Sequence, residues 1–195
     1  MSPRPRKVTD DEVLAAAYTV MQQLGPGELT LAHIAGQAGV TAGALVQRFG
    51  SKRGLLLLLS ERFSGGTGAM FAQLRSAHRS PLATLRAYAD CMAGMAETPA
   101  SLLRNLQYLQ IDLTDPDFRK HLAKSARATR EELQTLIREA VDAKELVKST
   151  NAKQLARTIE AVIGGSMLSW AFYQEGSASK WMRDDLNAIL KPYLR

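Results

Sequence analysis

The chain has 195 residues, of which 46% are apolar and 23% charged, and this balance excludes a disordered or low-complexity protein. Its net charge of +6 permits an anionic partner such as nucleic acid without identifying one. No apolar run approaches the roughly 20 residues of a membrane span, and no secretory signal is recognisable, so we expect a cytoplasmic protein. The single cysteine excludes an internal disulfide framework and a cysteine-cluster metal site.

Capping residues and prolines predict where helices begin. Thr9 and Glu12 have the spacing of a capping box for a first helix over about residues 10–23. Three further N-termini are marked by a capping residue directly before a proline: Ser80, Thr98 and Asp115. Between these marks apolar residues recur every three or four positions, and no segment alternates as a strand would. The sequence therefore predicts an all-α protein of about nine helices.

One stretch near the N-terminus predicts two short helices joined by a glycine turn. Thr30 is suited to cap the first helix and Thr41 the second, because each hydroxyl can accept a free backbone N–H. Gly39 lies between them, at a position that usually requires a left-handed backbone. The predicted helices are Leu31–Ala38 and Ala42–Phe49. This arrangement, with the first predicted helix behind it, is typical of a helix-turn-helix DNA-binding unit.

This stretch resembles the N-terminal domain of the tetracycline-repressor (TetR) family of bacterial transcription regulators. The resemblance covers residues 10–60 closely and rests on Ile34-Ala35, Ala38-Gly39-Val40-Thr41, Gly43, Leu45, Phe49, Ser51-Lys52 and Leu55. It implies a three-helix DNA-binding domain with a basic arm over residues 1–54, followed by a helical effector-binding and dimerisation domain over residues 55–195. Val46 departs from the pattern, because the family usually has an aromatic residue there that touches the DNA backbone.

The residue pattern of the second short helix predicts direct contacts with DNA bases. If Leu45 and Phe49 face the core, the helical period puts Gln47 on the opposite side. Gln47 can form two hydrogen bonds with adenine in the major groove, and Ala44 or Val46 can meet a thymine methyl group. The competing interpretation is that this strip is simply a solvated face.

Phosphate contacts are expected around the same helix. Thr30 and Thr41 lie at helix N-termini, which favour anions, and Arg48 can reach either a guanine or a phosphate. The resemblance implies that Lys52 is a phosphate-binding lysine. A basic arm suited to the minor groove or the backbone is formed by Arg4, Arg6 and Lys7. The predicted DNA-binding residues are Thr30, Thr41, Ala42, Gly43, Ala44, Val46, Gln47, Arg48 and Lys52.

The helix that starts near Lys52 is predicted to be interrupted at Ser64–Gly68. Three of these five residues are glycine, and each glycine costs about 1 kcal/mol relative to alanine within a helix. A hinge between an effector site and the DNA, or a plain loop, would both explain the segment. We favour the loop.

Methionine and aromatic side chains in the second half of the chain can line an adaptable apolar cavity. The family resemblance places an effector there, and we expect a small apolar or amphipathic molecule of unknown identity. The predicted ligand-binding residues are Met92, Met95, Leu106, Tyr108, Met167, Trp170 and Tyr173. Polar groups that could orient such a ligand are Arg104, Gln107, Gln110 and Asp112. Ordinary core packing is the competing interpretation for each apolar residue.

Small residues on the helix over about 152–174, together with an apolar stripe on the last helix, predict a four-helix dimer interface. The predicted interface residues are Ala161, Gly164, Gly165, Met182, Leu186, Ile189 and Tyr193. The alternative is that both helices only close the core of the monomer. A homodimer would read two half-sites about 34–36 Å apart or more, so the DNA partner is expected to be an inverted-repeat operator.

Catalysis is not expected. The three histidines are scattered, no metal-ligand spacing occurs, and no cofactor motif is recognisable; the histidines are His33, His78 and His121. Cys91 lies among apolar residues and is predicted to be a core thiol. The sequence thus favours a ligand-responsive transcription regulator, a repressor rather than an activator. Two alternatives remain: a DNA-organising protein of this fold without an effector, and a helical ligand-binding module that no longer binds DNA.

Overall fold

The computed structural model describes residues 8–195, and in this range the chain is built from nine α-helices and two short 3-10 helices, without a β-strand. The helices are α1 (Asp10–Met21), α2 (Leu31–Ala38), α3 (Ala42–Phe49), α4 (Lys52–Ala77), α5 (Pro81–Ala93), α6 (Pro99–Thr114), α7 (Pro116–Asp142), α8 (Ala152–Tyr173) and α9 (Ala178–Leu190). The 3-10 helices are Gly94–Ala96 and Lys191–Tyr193. The predicted all-α class is confirmed. The basic arm of Arg4, Arg6 and Lys7 lies outside the described residues.

Side-chain caps set the helix boundaries as the sequence predicted. The Glu12 N–H donates to the Thr9 hydroxyl at 3.2 Å, and the Thr9 N–H donates to the Glu12 carboxylate at 2.8 Å, which completes the capping box. Ser80 accepts from the Ala83 N–H at 3.2 Å at the start of α5. Thr98 accepts from the Ser101 N–H at 3.1 Å before α6. Each cap satisfies a backbone donor that the first helical turn leaves free.

The helices form two compact units. The first unit contains residues 8–63 and 104–122, so the end of α6 and the start of α7 belong to it together with α1, α2 and α3. Its buried core consists of Val13, Leu14, Ala17, Val20, Leu29, Ile34, Ala35, Leu45, Leu55, Leu56, Leu59 and Phe118. Ala35 of α2 is buried in this core, and its small side chain is suited to a close crossing of α2 and α3.

The second unit contains residues 64–103 and 123–195. Its core is contributed by α4, α5, the start of α6, α7, α8 and α9. The largest fully buried side chains of this core are Phe71, Leu85, Leu133, Leu136, Ile137, Leu146, Leu155 and Ile159. Phe71 and Tyr88 stack within it with their ring centroids 5.2 Å apart. Burial, followed by the nearby charges of Glu160 and Cys91, raises the pKa of the Tyr88 hydroxyl.

The predicted interruption at Ser64–Gly68 is wrong, because α4 runs unbroken from Lys52 to Ala77. Ser64 and Thr67 are buried, whereas the three glycines between and after them are exposed and have open space where a Cβ would stand. The Thr67 and Ser125 hydroxyl oxygens lie 3.2 Å apart, within hydrogen-bond distance. Packing of the inward face of α4 therefore outweighs the low helix propensity of glycine on its outer face.

The turn between α8 and α9 is fixed by two indole groups. The Trp170 Nε1–H donates to the Gly176 carbonyl at 3.2 Å, and the Trp181 Nε1–H donates to the Glu175 carbonyl at 2.7 Å. The Tyr173 ring stacks on Trp181 with centroids 5.7 Å apart. These contacts satisfy two backbone carbonyls of the loop between the helices, which have no partner within a helix.

Candidate nucleic-acid interface

The second helix of the predicted helix-turn-helix has one buried and one exposed side, as its sequence predicts. Leu45 is completely buried in the core of the first unit, whereas Gln47 is exposed and the Val46 side chain is 48% exposed. Gly39, between α2 and α3, has a left-handed backbone with φ of 69°. The turn therefore holds α3 with Gln47 pointing away from the core, where it can meet an external partner.

Both short helices begin at an exposed, capped N-terminus. The His33 N–H donates to the Thr30 hydroxyl at 3.2 Å, and the Ala44 N–H donates to the Thr41 hydroxyl at 3.1 Å. Other N–H groups of each first turn remain available to an anion. Gly43, next to Ala44 on α3, is exposed and has no close neighbour that would prevent the approach of a partner.

Arg48 does not point freely towards a partner. Its Nε–H donates to the Asp10 carboxylate at 3.0 Å, and its Nη1–H donates to the Val8 carbonyl at 3.0 Å. The guanidinium also lies over the Phe49 ring, 5.3 Å from the centroid. In this structure the charge of Arg48 therefore joins α3 to the start of α1.

The Lys52 ammonium is half-buried and donates to two carbonyls of the loop between α1 and α2. Its Nζ lies 3.0 Å from the Pro26 oxygen and 2.8 Å from the Leu29 oxygen. These two hydrogen bonds hold the loop against the first turn of α4. They use two of the three N–H donors of the ammonium group. Its predicted phosphate contact stays a prediction.

Two family models match the chain. The one described as "Bacterial regulatory proteins, tetR family" matches residues 13–59, and the one described as "Tetracyclin repressor-like, C-terminal domain" matches residues 81–186. The second match alone covers more than half of the chain. The protein belongs to the TetR family. The family resemblance of residues 10–60 is thus confirmed, and it extends through the helical second half.

Solved structures of transcription regulators show the same fold at low sequence identity. The chain is similar to a TetR regulator from Haloarcula marismortui, with a TM-score of 0.77, 16% identity, and coverage of 95% of this chain and 98% of that one. A regulator from Saccharomonospora viridis in complex with choline has a TM-score of 0.78, 16% identity, and coverage of 95% and 97%. FadR from Bacillus subtilis in complex with stearoyl-CoA has a TM-score of 0.69, 16% identity, and coverage of 93% and 97%. No curated protein matches the chain in sequence.

Sequence reasoning missed Arg53, which joins the start of α4 to the turn between α6 and α7. Its Nε–H donates to Asp115 at 2.9 Å, and its Nη2–H donates to Asp117 at 2.7 Å. The hydrogen bond to Asp117, followed by that to Asp115, raises the pKa of Arg53. Burial acts to raise the pKa of Asp115, but the hydrogen bonds from Arg53 and from the Asp117 backbone lower it below the ordinary value. The sequence shows only that residue 53 is basic and that residues 115 and 117 are acidic. Because the partners are 62 and 64 positions apart, this does not reveal that they pair.

A second long-range contact in the same unit is a hydrogen bond from Tyr108, one of the predicted ligand-binding residues. The Tyr108 hydroxyl donates to the Leu24 carbonyl at 2.9 Å, and burial raises the pKa of Tyr108 to about 12. Gln107 on the same helix approaches Gly25 so closely that a Cβ there would lie 2.6 Å from its Oε1 atom. The end of α6 is therefore packed on the loop between α1 and α2.

The predicted ligand-binding residues are divided between the two units. Leu106 and Tyr108 belong to the first unit, and the other five belong to the second. Trp170 is buried, Met92 and Met167 are half-buried, and the exposed members are Met95, Leu106 and Tyr173. A surface depression of about 630 Å³ along α8 is lined by Asn151, Lys153, Gln154, Arg157, Thr158, Ala161 and Val162, and contains none of the predicted ligand residues.

Asp112 on α6 differs from the other polar candidates for the effector site. Burial raises the pKa of this half-buried carboxyl to about 6, and no described residue forms a hydrogen bond or ion pair with it. Gln107 and Gln110 are exposed, and Arg104 is half-buried. Asp112 is therefore protonated far more readily than an ordinary aspartate.

Two residues of the predicted dimer interface are core residues instead. Met182 and Leu186 are completely buried within the second unit, because the inward stripe of α9 packs on α5 and α8. They are not available to a second copy of the chain. Gly164, Ile189 and Tyr193 are half-buried, and the two exposed members are Ala161 and Gly165.

The predicted core position of Cys91 is also wrong, because the thiol is exposed. The inward face of α5 is formed by Leu85, Tyr88 and Ala89, and Cys91 follows them on the other side of the helix. Across residues 8–195 no group of three or more histidine, cysteine and acidic side chains could hold a metal ion. No helix in that range is both long enough and apolar enough to cross a membrane.

Proposed function

We propose that the protein is a dimeric, ligand-responsive transcription regulator, and that it acts as a repressor on an inverted-repeat operator. The observation that carries the proposal is the α3 surface, where Gln47 and Val46 are exposed above the buried Leu45 in a chain of the TetR family. We assign DNA binding to residues 1–54, and effector binding and dimerisation to residues 55–195. The α6–α7 segment over residues 104–122 packs in the same unit as α3 and is suited to connect the two functions.

Selection of bound fragments from a random DNA pool tests the proposal. We expect an inverted repeat to be enriched, because each copy of the chain presents one recognition helix. Gln47→Ala should reduce the preference for one base pair in each half-site by about 1–3 kcal/mol, the usual value of a bidentate base contact. Gln73→Ala, at an exposed position of α4, is the matched control and should leave the selected sequence unchanged. If no sequence is enriched and binding only fades with salt, the DNA-organising alternative is supported.

The dimer is proposed to form through an apolar stripe on α8. Ala161, Gly165, Leu168 and Phe172 are exposed and recur along one face of this helix, and Phe172 is 77% exposed. Several exposed apolar side chains along one helix face form a contiguous patch, and such a patch is typical of an interaction surface. Phe172→Glu should convert the dimer into a monomer in light-scattering measurements and reduce DNA affinity. If the variant keeps the mass of a dimer, the dimer interface does not include this face of α8.

The effector is proposed to be an apolar or amphipathic small molecule. Two of the structural relatives hold choline and stearoyl-CoA, which are chemically different, so these two molecules serve here as probes. We expect an amphipathic probe to raise the melting temperature and to release DNA, because a ligand shifts the equilibrium towards the state it binds more tightly. Coenzyme A without its acyl chain is the matched control for stearoyl-CoA. A range of such probes that leaves DNA affinity unchanged would support a regulator without an effector.

A further inference from the structure

The Arg48 guanidinium is the only cationic group on α3, and it is already occupied by the chain itself. Its Nε–H and Nη2–H groups both contact one oxygen of the Asp10 carboxylate, and its Nη1–H donates to the Val8 carbonyl. The Asp10 side chain is 59% exposed. The pair therefore lies at the surface, where a second anion can compete for the same donors.

The position of Arg48 on α3 indicates which anion that would be. Arg48 directly follows Gln47 on α3, so the two side chains are about 100° apart around the helix axis. When Gln47 faces the base edges, Arg48 lies at the side of the helix, towards the phosphate backbone that borders the groove. A carboxylate oxygen and a phosphate oxygen make the same charge-assisted hydrogen bonds with arginine. Asp10 therefore occupies the donors that a DNA phosphate would use.

We infer that Asp10 limits the affinity of the protein for DNA by competing with a backbone phosphate for Arg48. This inference rests on the proposed DNA-binding function. Binding of a phosphate by Arg48 requires the Asp10 contact to be broken, and the released carboxylate then stands close to the DNA. Both effects reduce the contribution of Arg48 below that of an unpaired arginine. Sequence discrimination then depends more strongly on the base contacts of Gln47.

The substitution Asp10→Asn tests the inference. The asparagine retains the polar side chain but loses the charge that holds the guanidinium. We expect affinity for a random-sequence DNA duplex to rise severalfold. The salt dependence, measured as the slope of log affinity against log salt concentration, should become steeper by about 0.9, the value for one additional phosphate contact.

The matched control is Asp11→Asn. Asp11 is the next residue of the same helix turn, and it pairs with Arg62 on α4 rather than with a residue of α3. Asp11→Asn changes the net charge by the same amount as Asp10→Asn. The control variant therefore measures the general repulsion between an acidic side chain and DNA. The inference requires that Asp10→Asn has the larger effect. Equal effects of the two substitutions would overturn it.

A double-substitution cycle with Arg48→Gln identifies the group that gains the contact. We expect Arg48→Gln to change the affinity of the wild-type chain little, and to abolish the gain produced by Asp10→Asn. Loss of the same fold-affinity in both backgrounds would mean that Arg48 already contacts DNA beside Asp10, and would contradict the inference. If the wild-type chain binds no DNA at all, the proposed function itself fails. Circular dichroism of each variant verifies that the fold is retained.

Discussion

The start and the middle of α4 both contain glycine, and the surroundings of the glycines differ completely. At the start, a Cβ on Gly54 would lie 2.3 Å from the Phe49 carbonyl oxygen, which belongs to the end of α3. In the middle, a Cβ on Gly65, Gly66 or Gly68 would meet no atom within 4 Å. The first glycine is required by a close approach of two helices, whereas the other three lie on an open face.

The number of glycines in a segment therefore does not determine whether a helix is interrupted there. At the start of α4 the Gly54 N–H donates to the Ser51 hydroxyl at 3.0 Å, so a side-chain cap begins the helix there. In the middle, the buried hydroxyls of Ser64 and Thr67 hold the inward face while the glycines are exposed. The contacts of the other residues in each segment therefore decide the conformation. Four substitutions can separate these effects.

Gly54→Ala should have the largest effect. The added methyl group would overlap a backbone carbonyl that cannot move without shifting α3, and overpacking of this kind costs about 1–3 kcal/mol or more. Urea unfolding followed by circular dichroism gives the free energy. Gly36→Ala, at an open position of α2 in the same unit, is the control and should not destabilise the protein. An equally stable Gly54→Ala variant would remove the requirement for glycine at the start of α4.

Lys52→Met should cost about 2 kcal/mol of unfolding free energy, because two hydrogen bonds from a charged donor to the Pro26 and Leu29 carbonyls are lost. The methionine keeps most of the apolar stem. Lys120→Met, at an exposed position of the same unit, is the control. Unchanged stability, together with a salt dependence of DNA affinity reduced by about one phosphate contact, would show that Lys52 acts as the predicted phosphate ligand and does not stabilise the loop.

Thr67→Val should cost about 1 kcal/mol, since the buried hydroxyl that lies 3.2 Å from the Ser125 hydroxyl is replaced by a methyl group. Ser125→Ala should cost a similar amount. The double variant should be less destabilised than the two single variants together, because both remove the same contact. Additive losses would show that the two hydroxyls stabilise α4 independently, and that their hydrogen bond is not what holds its inward face.

Gly66→Ala should stabilise the protein by about 0.5–1 kcal/mol, the smallest of the four effects. Alanine has the higher helix propensity, and the added methyl group meets open space. Denaturant unfolding measures the gain. A destabilised variant would mean that the outer face of α4 is covered in the assembled protein, and would assign the glycines to an interface.

Much of the helix-turn-helix could be predicted because its signals are local. The capping threonines and Gly39 act within a few residues, so α2 and α3 begin and end where the sequence indicated. The exposed position of Gln47 followed from the helical period and the buried Leu45. The contacts of Arg48 and Lys52 could not be predicted in the same way, because their partners lie 38–40 and 23–26 residues away.

The helical second half was predicted less well for a related reason. Helical spacing identified apolar stripes, but it could not distinguish the core position of Met182 from an interface, or the exposed Cys91 from a core thiol. On α4, glycine propensity predicted a break that inward packing overrides. Which face of a helix is covered depends on the other helices, and a single sequence does not contain that information directly.

The two indole groups of the α8–α9 turn determine what an optical experiment on this protein can detect. Trp170 and Trp181 are the only tryptophans in the chain, and both lie in the second unit. Intrinsic fluorescence is therefore a local probe of that turn, without any labelling, and will respond to events that alter α8 or α9. The unit that carries α3 emits no tryptophan signal. A fluorescence melt can consequently report an intact protein while the first unit is already unfolded, and tyrosine absorbance or circular dichroism is needed to detect that transition.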